Sequence, residues 1–373
     1  MIERIIERQI MGDLFQKKAI IILGARQVGK STLLKKIFQD RADVLWLDAE
    51  NSDVNLLLKD ANTKRLELLF GKHAIIIIDE AQKVDNIGRK LKLITDHLPN
   101  IQVIATGSSA FELRNQLNEP LTGRKFEYSL FPLSFQEMAQ QNGLIDEFRA
   151  MPHRMVFGYY PEVVTTQNDE ERILRLLADS YLYKDVFLYK GVRKPEKMLE
   201  LLKLLAWQIG NQVNFHELGN ILGMKSETIE DYIHLLEQSF VIYRLNAYST
   251  NQRSELKKSK KVYFNDLGIR NALINDFRPV ELRNDKGNLF ENFIINEFRK
   301  KNYYERSHYN LYFWRSQQQQ EIDLILEKNN TLQTFEIKWN AQTKAKLPTT
   351  FQNAYPDTEF KIINSENFFE FLS

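Results

Sequence analysis

Residues 24–31 read Gly24-Ala25-Arg26-Gln27-Val28-Gly29-Lys30-Ser31, which fits GxxxxGK[ST] at every fixed position. The apolar run Ala19 to Leu23 precedes this stretch and a helix-patterned run, Thr32 to Phe38, follows it, so it stands between a buried strand and a helix. Each fixed residue then has a physical task. Gly24 and Gly29 take backbone angles that side-chained residues resist, turning successive N–H groups toward an anion. Lys30 reaches phosphate oxygens, Ser31 offers a hydroxyl to Mg2+, and the positive end of the helix closes the cradle. The expected ligand is ATP with Mg2+, held by Gly24, Ala25, Arg26, Gln27, Val28, Gly29, Lys30, Ser31 and Thr32.

Downstream, Ile75-Ile76-Ile77-Ile78-Asp79-Glu80 is an apolar strand ending in two acids. Asp79 is placed to hold Mg2+ with Ser31, and Glu80 to polarise the water that attacks the γ-phosphorus. Acids often begin loops, so the pair gains its meaning from the phosphate loop upstream, since both belong at the same end of one parallel sheet. A further strand, Ile101 to Ala105, ends in Thr106-Gly107-Ser108-Ser109. Ser108 is expected either to touch the γ-phosphate or its water, or, with Ser109, to cap the next helix. Leu121-Thr122-Gly123-Arg124 leads into a strand from Phe126 to Phe131. Arg124 is a candidate for neutralising transition-state charge in its own chain or in a neighbouring subunit, against the alternative of a rim salt bridge. Arg114 is the weaker candidate for that role.

In this order GARQVGKS, IIIIDE, TGSS and LTGR resemble the core of an AAA-superfamily ATPase over residues 1 to about 135. More narrowly, the chain resembles bacterial and archaeal AAA-type ATPases whose C-terminal half is of unknown function. The likeness continues through Gly158-Tyr159-Tyr160-Pro161-Glu162, Tyr183-Lys184-Asp185, Lys261-Val262-Tyr263-Phe264-Asn265-Asp266-Leu267-Gly268 and Glu336-Ile337-Lys338-Trp339. It implies an α/β fold with a P-loop parallel sheet in strand order 5-1-4-3-2 and a helical lid. The division expected from sequence is an ATPase core over 1–134, a lid over 135–190, a winged helix over 191–279 and a restriction-endonuclease-like α/β domain over 280–373.

The winged helix is read from residues 196–250. Glu196 to Ile209, Asn214 to Leu222 and Ser226 to Gln238 have helical patterning, Gly223 breaks the last two, and strands Phe240 to Leu245 and Lys261 to Asn265 supply a wing. Glu227, Glu230, Asp231 and Glu237 on the second helix of the pair oppose phosphate contact, while Arg253, Lys257, Lys258, Lys260 and Lys261 favour it from the wing. A solvated loop or a protein-packing winged helix is therefore the leading expectation, with wing-led phosphate contact as the alternative.

Residues 280–373 carry a second constellation. Asp323 on one strand and Glu336-Ile337-Lys338 on the next form D…ExK, with Glu336 and Lys338 on one face of their strand. Glu336 and Asp323 would bind a second divalent metal, Glu291 from a helix would add a third acid, and Lys338 would orient or deprotonate water. The plainer reading is an amphipathic strand with charges on its outer face.

Composition narrows the classes. Net charge is +2, and residues 1–150 hold 21 Lys and Arg against 20 Asp and Glu, so no half is a basic block inviting nucleic acid. The chain has no cysteine, which excludes disulfides and thiolate metal sites. Charged residues interrupt the N-terminal apolar positions Ile2, Ile5, Ile6 and Ile10, which read as a short amphipathic helix, and no run approaches the roughly 20 apolar residues of a membrane span. A cytoplasmic protein without membrane contact is expected. Two outputs remain open for its ATPase cycle: a DNA-binding or DNA-cleaving module, or a switch whose silent nuclease-like domain docks a protein partner. A homo-oligomer fits either.

Overall fold

The fold was obtained as a computed structural model, which describes residues 2–108, 110–117, 120–166, 168–181, 192, 194–249 and 260–372. Ser109, Tyr183-Lys184-Asp185 and the wing residues Arg253, Glu255, Lys257 and Lys258 lie outside the described residues. The chain forms two compact units, one of Glu3–Pro132 with Gln238–Phe240 and one of Leu133–Glu237 with Val241–Ser373.

The first unit is built on five strands: β1 (Ala19–Leu23), β2 (Val44–Asp48), β3 (Ile75–Asp79), β4 (Gln102–Gly107) and β5 (Lys125–Ser129). They pair in the order β2-β3-β4-β1-β5, all parallel, which is the 5-1-4-3-2 order that the resemblance implies. A parallel sheet needs helical crossovers that cover both faces. This explains why β1 and the four isoleucines of β3 are buried without alternation. Each buried isoleucine contributes roughly 1.5–3 kcal/mol. Helices Lys30–Ile37, Thr63–Phe70, Ile87–His97 and Ala110–Leu117 supply cover. Ahead of β1, helix Glu7–Gly12 buries Ile10, and Ile6 is buried just before it. Arg4 donates to Val28 O at 3.1 Å and to Phe131 O at 2.6 Å, tying the N-terminal segment to the phosphate loop.

The second unit opens with helices Phe135–Asn142, Leu144–Phe157, Pro161–Thr165 and Glu170–Tyr181. The first starts in a capping box, Ser134 accepting from Glu137 N while the Glu137 carboxylate accepts from Ser134 N. Helices Pro195–Trp207, Phe215–Leu222 and Ser226–Gln238 follow. The turn between the last two is tight: Gly223 is left-handed, and a Cβ on Gly219 would stand 2.6 Å from Met224 O.

The strands of this unit are β6 (Gln212–Val213), β7 (Ile242–Ala247), β8 (Lys260–Phe264), β9 (Asn310–Arg315), β10 (Glu321–Lys328), β11 (Thr331–Lys338) and β12 (Glu359–Asn364). They make one sheet in the order β12-β11-β10-β9-β7-β8-β6. The expected wing therefore continues into the C-terminal strands, β7 pairing with β9 in parallel through Asn246–Tyr312 and Ala247–Phe313. A boundary at 279/280 falls within a unit whose sheet is continuous. Helix Lys286–Tyr304 is its longest described helix.

Two stretches quoted from sequence meet here. Asp266 caps helix Leu267–Ile274 by accepting from Ile269 N, and its other oxygen accepts from Tyr159 N at 2.7 Å. Gly158, at φ 73° and ψ −161°, leaves room for that carboxylate, since a Cβ would lie 2.2 Å from Asp266 Oδ1. Among the described residues no helix is long and apolar enough to cross a membrane.

Candidate nucleotide site and C-terminal carboxylate cluster

All five strands of the first unit run the same way, so the loop after β1 and the acids after β3 share one edge of the sheet. Gly29 sits at φ 98° and caps helix Lys30–Ile37, and Gln27 is left-handed at φ 58°. Gly24 lies so close to Leu130 O that a Cβ would stand 2.4 Å away. The Lys30 side chain is 5% exposed, and its ammonium donates to Gly24 O at 2.9 Å and Ala25 O at 3.0 Å. A cation lying over a concave loop of backbone, beside a helix N-terminus, suits a phosphate. Arg26 pairs with Glu50 at 3.2 Å.

Ser31 Oγ donates to Asp79 Oδ2 at 2.6 Å, so the phosphate-loop hydroxyl and the carboxylate after β3 already stand together. This hard-oxygen pair fits Mg2+ bound with a nucleotide. Thr106 Oγ1 donates to the other oxygen of Asp79 and accepts from Glu80 N at 3.1 Å. Glu80 takes a left-handed turn at φ 50°. Its Oε2 accepts from Ser108 Oγ at 2.8 Å and from Gln82 Nε2 at 2.6 Å. Gln82 also donates to Ser108 Oγ at 3.2 Å. Its Oε1 is buried with no partner among the described residues, leaving one acceptor unspent beside the two acids. The structure thus joins Lys30, Ser31, Asp79, Glu80 and Ser108 and adds Thr106 and Gln82. The only local hint of Gln82 was its place two residues after Glu80.

Arg124 is placed elsewhere. It precedes β5, and its carbonyl accepts from Ala19 N at the start of β1, whereas the phosphate loop follows the end of that strand. Five residues at about 3.3 Å each separate the two levels, on the order of 16 Å. The expectation that Arg124 serves the phosphates of its own chain is therefore corrected. Its guanidinium pairs instead with Asp96 at 2.7 Å. Arg114, the other candidate, is bound to Glu127 at 2.6 Å.

In the second unit, β10 and β11 do bring Asp323, Glu336 and Lys338 together. Lys338 Nζ lies 2.7 Å from Glu336 Oε1 and 3.4 Å from Asp323 Oδ2, which also accepts from Ile337 N at 2.8 Å. A register shift between Ile322 and Ile325, where β10 carries one extra residue against β9, interrupts the alternation around Asp323. Asp323 is consequently 5% exposed, so this carboxylate is in the interior and not on an outer face. Burial, then the neighbouring Asp323 carboxylate, push Glu336 up to about 7 despite the Lys338 ammonium. Burial would lower Lys338, but Asp323 and Glu336 hold it above the ordinary lysine range, which argues for an ammonium and against the expected water-deprotonating base.

Glu291 does not complete a metal site. Its Oε1 accepts from Lys261 Nζ at 2.9 Å and from Tyr263 OH at 2.6 Å. Lys261 also lies 2.5 Å from Glu321 Oε1. Among the described residues no three acidic or histidine side chains converge as metal ligands, so the expected set of Glu291, Asp323 and Glu336 is corrected. Lys261, read from the sequence as a wing residue favouring phosphate contact, is buried against these acids instead, and Tyr263 and Glu321 were not singled out for this cluster. The available signal was the spacing of Lys261 and Tyr263, two apart and thus on one face of β8.

Residues 16–139 match the family described as AAA domain. That segment is therefore similar to AAA domains. Two further segments of the chain, residues 149–279 and 286–371, match families described as domains of unknown function, DUF8612 and DUF4143. An uncharacterised protein of Haemophilus influenzae is 26% identical over 282 residues, covering 68% of this chain and 68% of its own. An uncharacterised protein of Mycobacterium tuberculosis is 26% identical over 334 residues, covering 87% of this chain and 71% of its own. Among solved structures, a Walker-type ATPase of Pyrococcus abyssi aligns at 15% identity and a TM-score of 0.50, covering 74% of this chain and 96% of that one, a likeness of fold.

Proposed function

We propose that the first unit binds and hydrolyses ATP with Mg2+ and that the second unit turns this cycle into docking on a protein partner. The observation that carries the ATPase reading is the Ser31–Asp79 contact at 2.6 Å, with Glu80 following on the same strand end. When bound, Mg2+ neutralises phosphate charge. Lys30, now on the loop carbonyls, would bind the phosphate oxygens, and Ser31 and Asp79 would hold the metal. Glu80 takes the proton of the attacking water while Ser108 and Gln82 fix the direction of its carboxylate. Arg124 remains available only to a neighbouring subunit.

Glu80→Gln is expected to bind ATP as the parent does and to lose turnover, measured by fluorescent-nucleotide titration beside phosphate release. Unchanged turnover would remove Glu80 from its role.

For the second unit, helix Phe215–Leu222, helix Ser226–Gln238 and strands β7 and β8 support a winged-helix reading. Two of its four acids are engaged internally: Glu237 holds Arg244 at 2.5 Å, and Glu230 lies 3.8 Å from both Arg244 and Lys260. Basic side chains of the strands are thus partly neutralised by the helix that would have to face DNA. This favours protein packing over DNA contact.

A further inference from the structure

The D…ExK strands and helix Lys286–Tyr304 carry four carboxyl groups held in pairs by two lysines, Glu291 and Glu321 by Lys261, Asp323 and Glu336 by Lys338. Lys261, 3% exposed, comes from β8, outside the segment that carries those acids. Its Nζ stands 2.9 Å from Glu291 and 2.5 Å from Glu321. Burial alone would lower Lys261, yet Glu291, Asp323 and Glu321 carry it above the ordinary lysine range, which keeps it charged.

We propose that Lys261 is the resident cation of this cluster and takes the place of the divalent metal that the D…ExK pattern leads one to expect. An ammonium within hydrogen-bond distance of two carboxylates fills the space that Mg2+, with ligands at about 2.0–2.1 Å, would need. The inward oxygens are also spent: Glu291 Oε1 accepts from Lys261 and Tyr263, and Asp323 Oδ2 from Ile337 N and Lys338. Charge is nearly closed as well, since Lys261, Lys338 and Arg315, the last 3.7 Å from Glu321, face the four carboxyls. A buried ion pair is weak evidence for net stability. Here it fixes β8 against helix Lys286–Tyr304 and β10. The second unit accordingly has a nuclease-like pattern closed from within by its own side chain, and it does not cleave by a metal mechanism. This goes beyond the ATPase reading and does not depend on it.

The test is a Mn2+ titration of the nucleotide-free full chain, followed by electron paramagnetic resonance, in an Asp79→Asn background that removes the metal position of the nucleotide site. The parent is expected to bind no stoichiometric Mn2+ at millimolar concentration, and Lys261→Met to gain one equivalent. One equivalent bound by the parent and lost in Asp323→Asn would overturn the proposal, as would a folded Lys261→Met chain that binds none. Lys261→Met leaves carboxylates unpaired and can fail to fold. In that event the parent titration decides, no binding supporting the resident cation and binding that requires Asp323 overturning it.

Discussion

Glu80 is held by two donors on one oxygen, Ser108 and Gln82, so the direction of the candidate base is fixed by neighbours that the strand motif does not contain. A positioned general base contributes roughly 10²–10⁴ in rate. Gln82→Ala is expected to lower turnover about tenfold or more while ATP affinity holds, and Gln82→Glu, which sets a like charge beside Glu80, to lower it further. Steady-state phosphate release with nucleotide titration reads both, and equal turnover in all three proteins would sink the assignment. Glu336 offers a pH-dependent counterpart. Its native proton is held to about pH 7, against about 4.3 for a free glutamate. The raised value means that its stability contribution is fully present below about pH 4.3, declines with rising pH and is gone above about pH 7. Glu336→Gln keeps the neutral form, so its melting temperature relative to the parent should rise from pH 4.5 to 7.5 and then level off. A pH-independent difference would contradict the buried titration.

At the scale of elements, the glycine between helix Leu144–Phe157 and helix Pro161–Thr165 shows why a loop residue governs a distant helix cap. Gly158→Ala places a methyl 2.2 Å from Asp266 Oδ1 at a backbone angle that only glycine adopts readily. The carboxylate must leave, and with it the bonds to Tyr159 N and Ile269 N. A loss of more than about 3 kcal/mol is expected from backbone strain and broken charged hydrogen bonds together, measured by denaturant unfolding. A loss under about 1 kcal/mol would show that the helix cap relaxes freely. The strands of the first unit were legible because Ala19–Leu23 and Ile75–Ile78 are uninterrupted apolar runs. The seven-stranded sheet was less so. The parallel pairing of β7 with β9 joins residues 246–247 to 312–313, and no local pattern encodes a partner that far along the chain.

For the molecule as a whole, net charge and pairing point the same way. The chain carries +2, and Glu230 and Glu237 already engage Arg244 and Lys260. Neutralising phosphates releases counterions, so a DNA-binding chain would lose affinity steeply with salt. Fluorescence anisotropy with duplex and single-stranded DNA is expected to show no binding at physiological salt, with or without ATP. A steep log-linear salt dependence at low salt that persists into that range would restore the DNA reading.

The sequence by itself determined the phosphate loop, the acids after β3 and the α/β class, because those features are written in contiguous residues whose spacing fixes a strand, a turn and a helix. It also placed Asp323, Glu336 and Lys338 on neighbouring strands. Only tertiary structure decided that Arg124 stands at the far end of its sheet, that Gln82 turns toward Glu80, and that Lys261 enters the carboxylate cluster. These outcomes depend on strand direction, register and burial, which set the distance between charges and the water left between them. A list of residues carries the charges but not those distances.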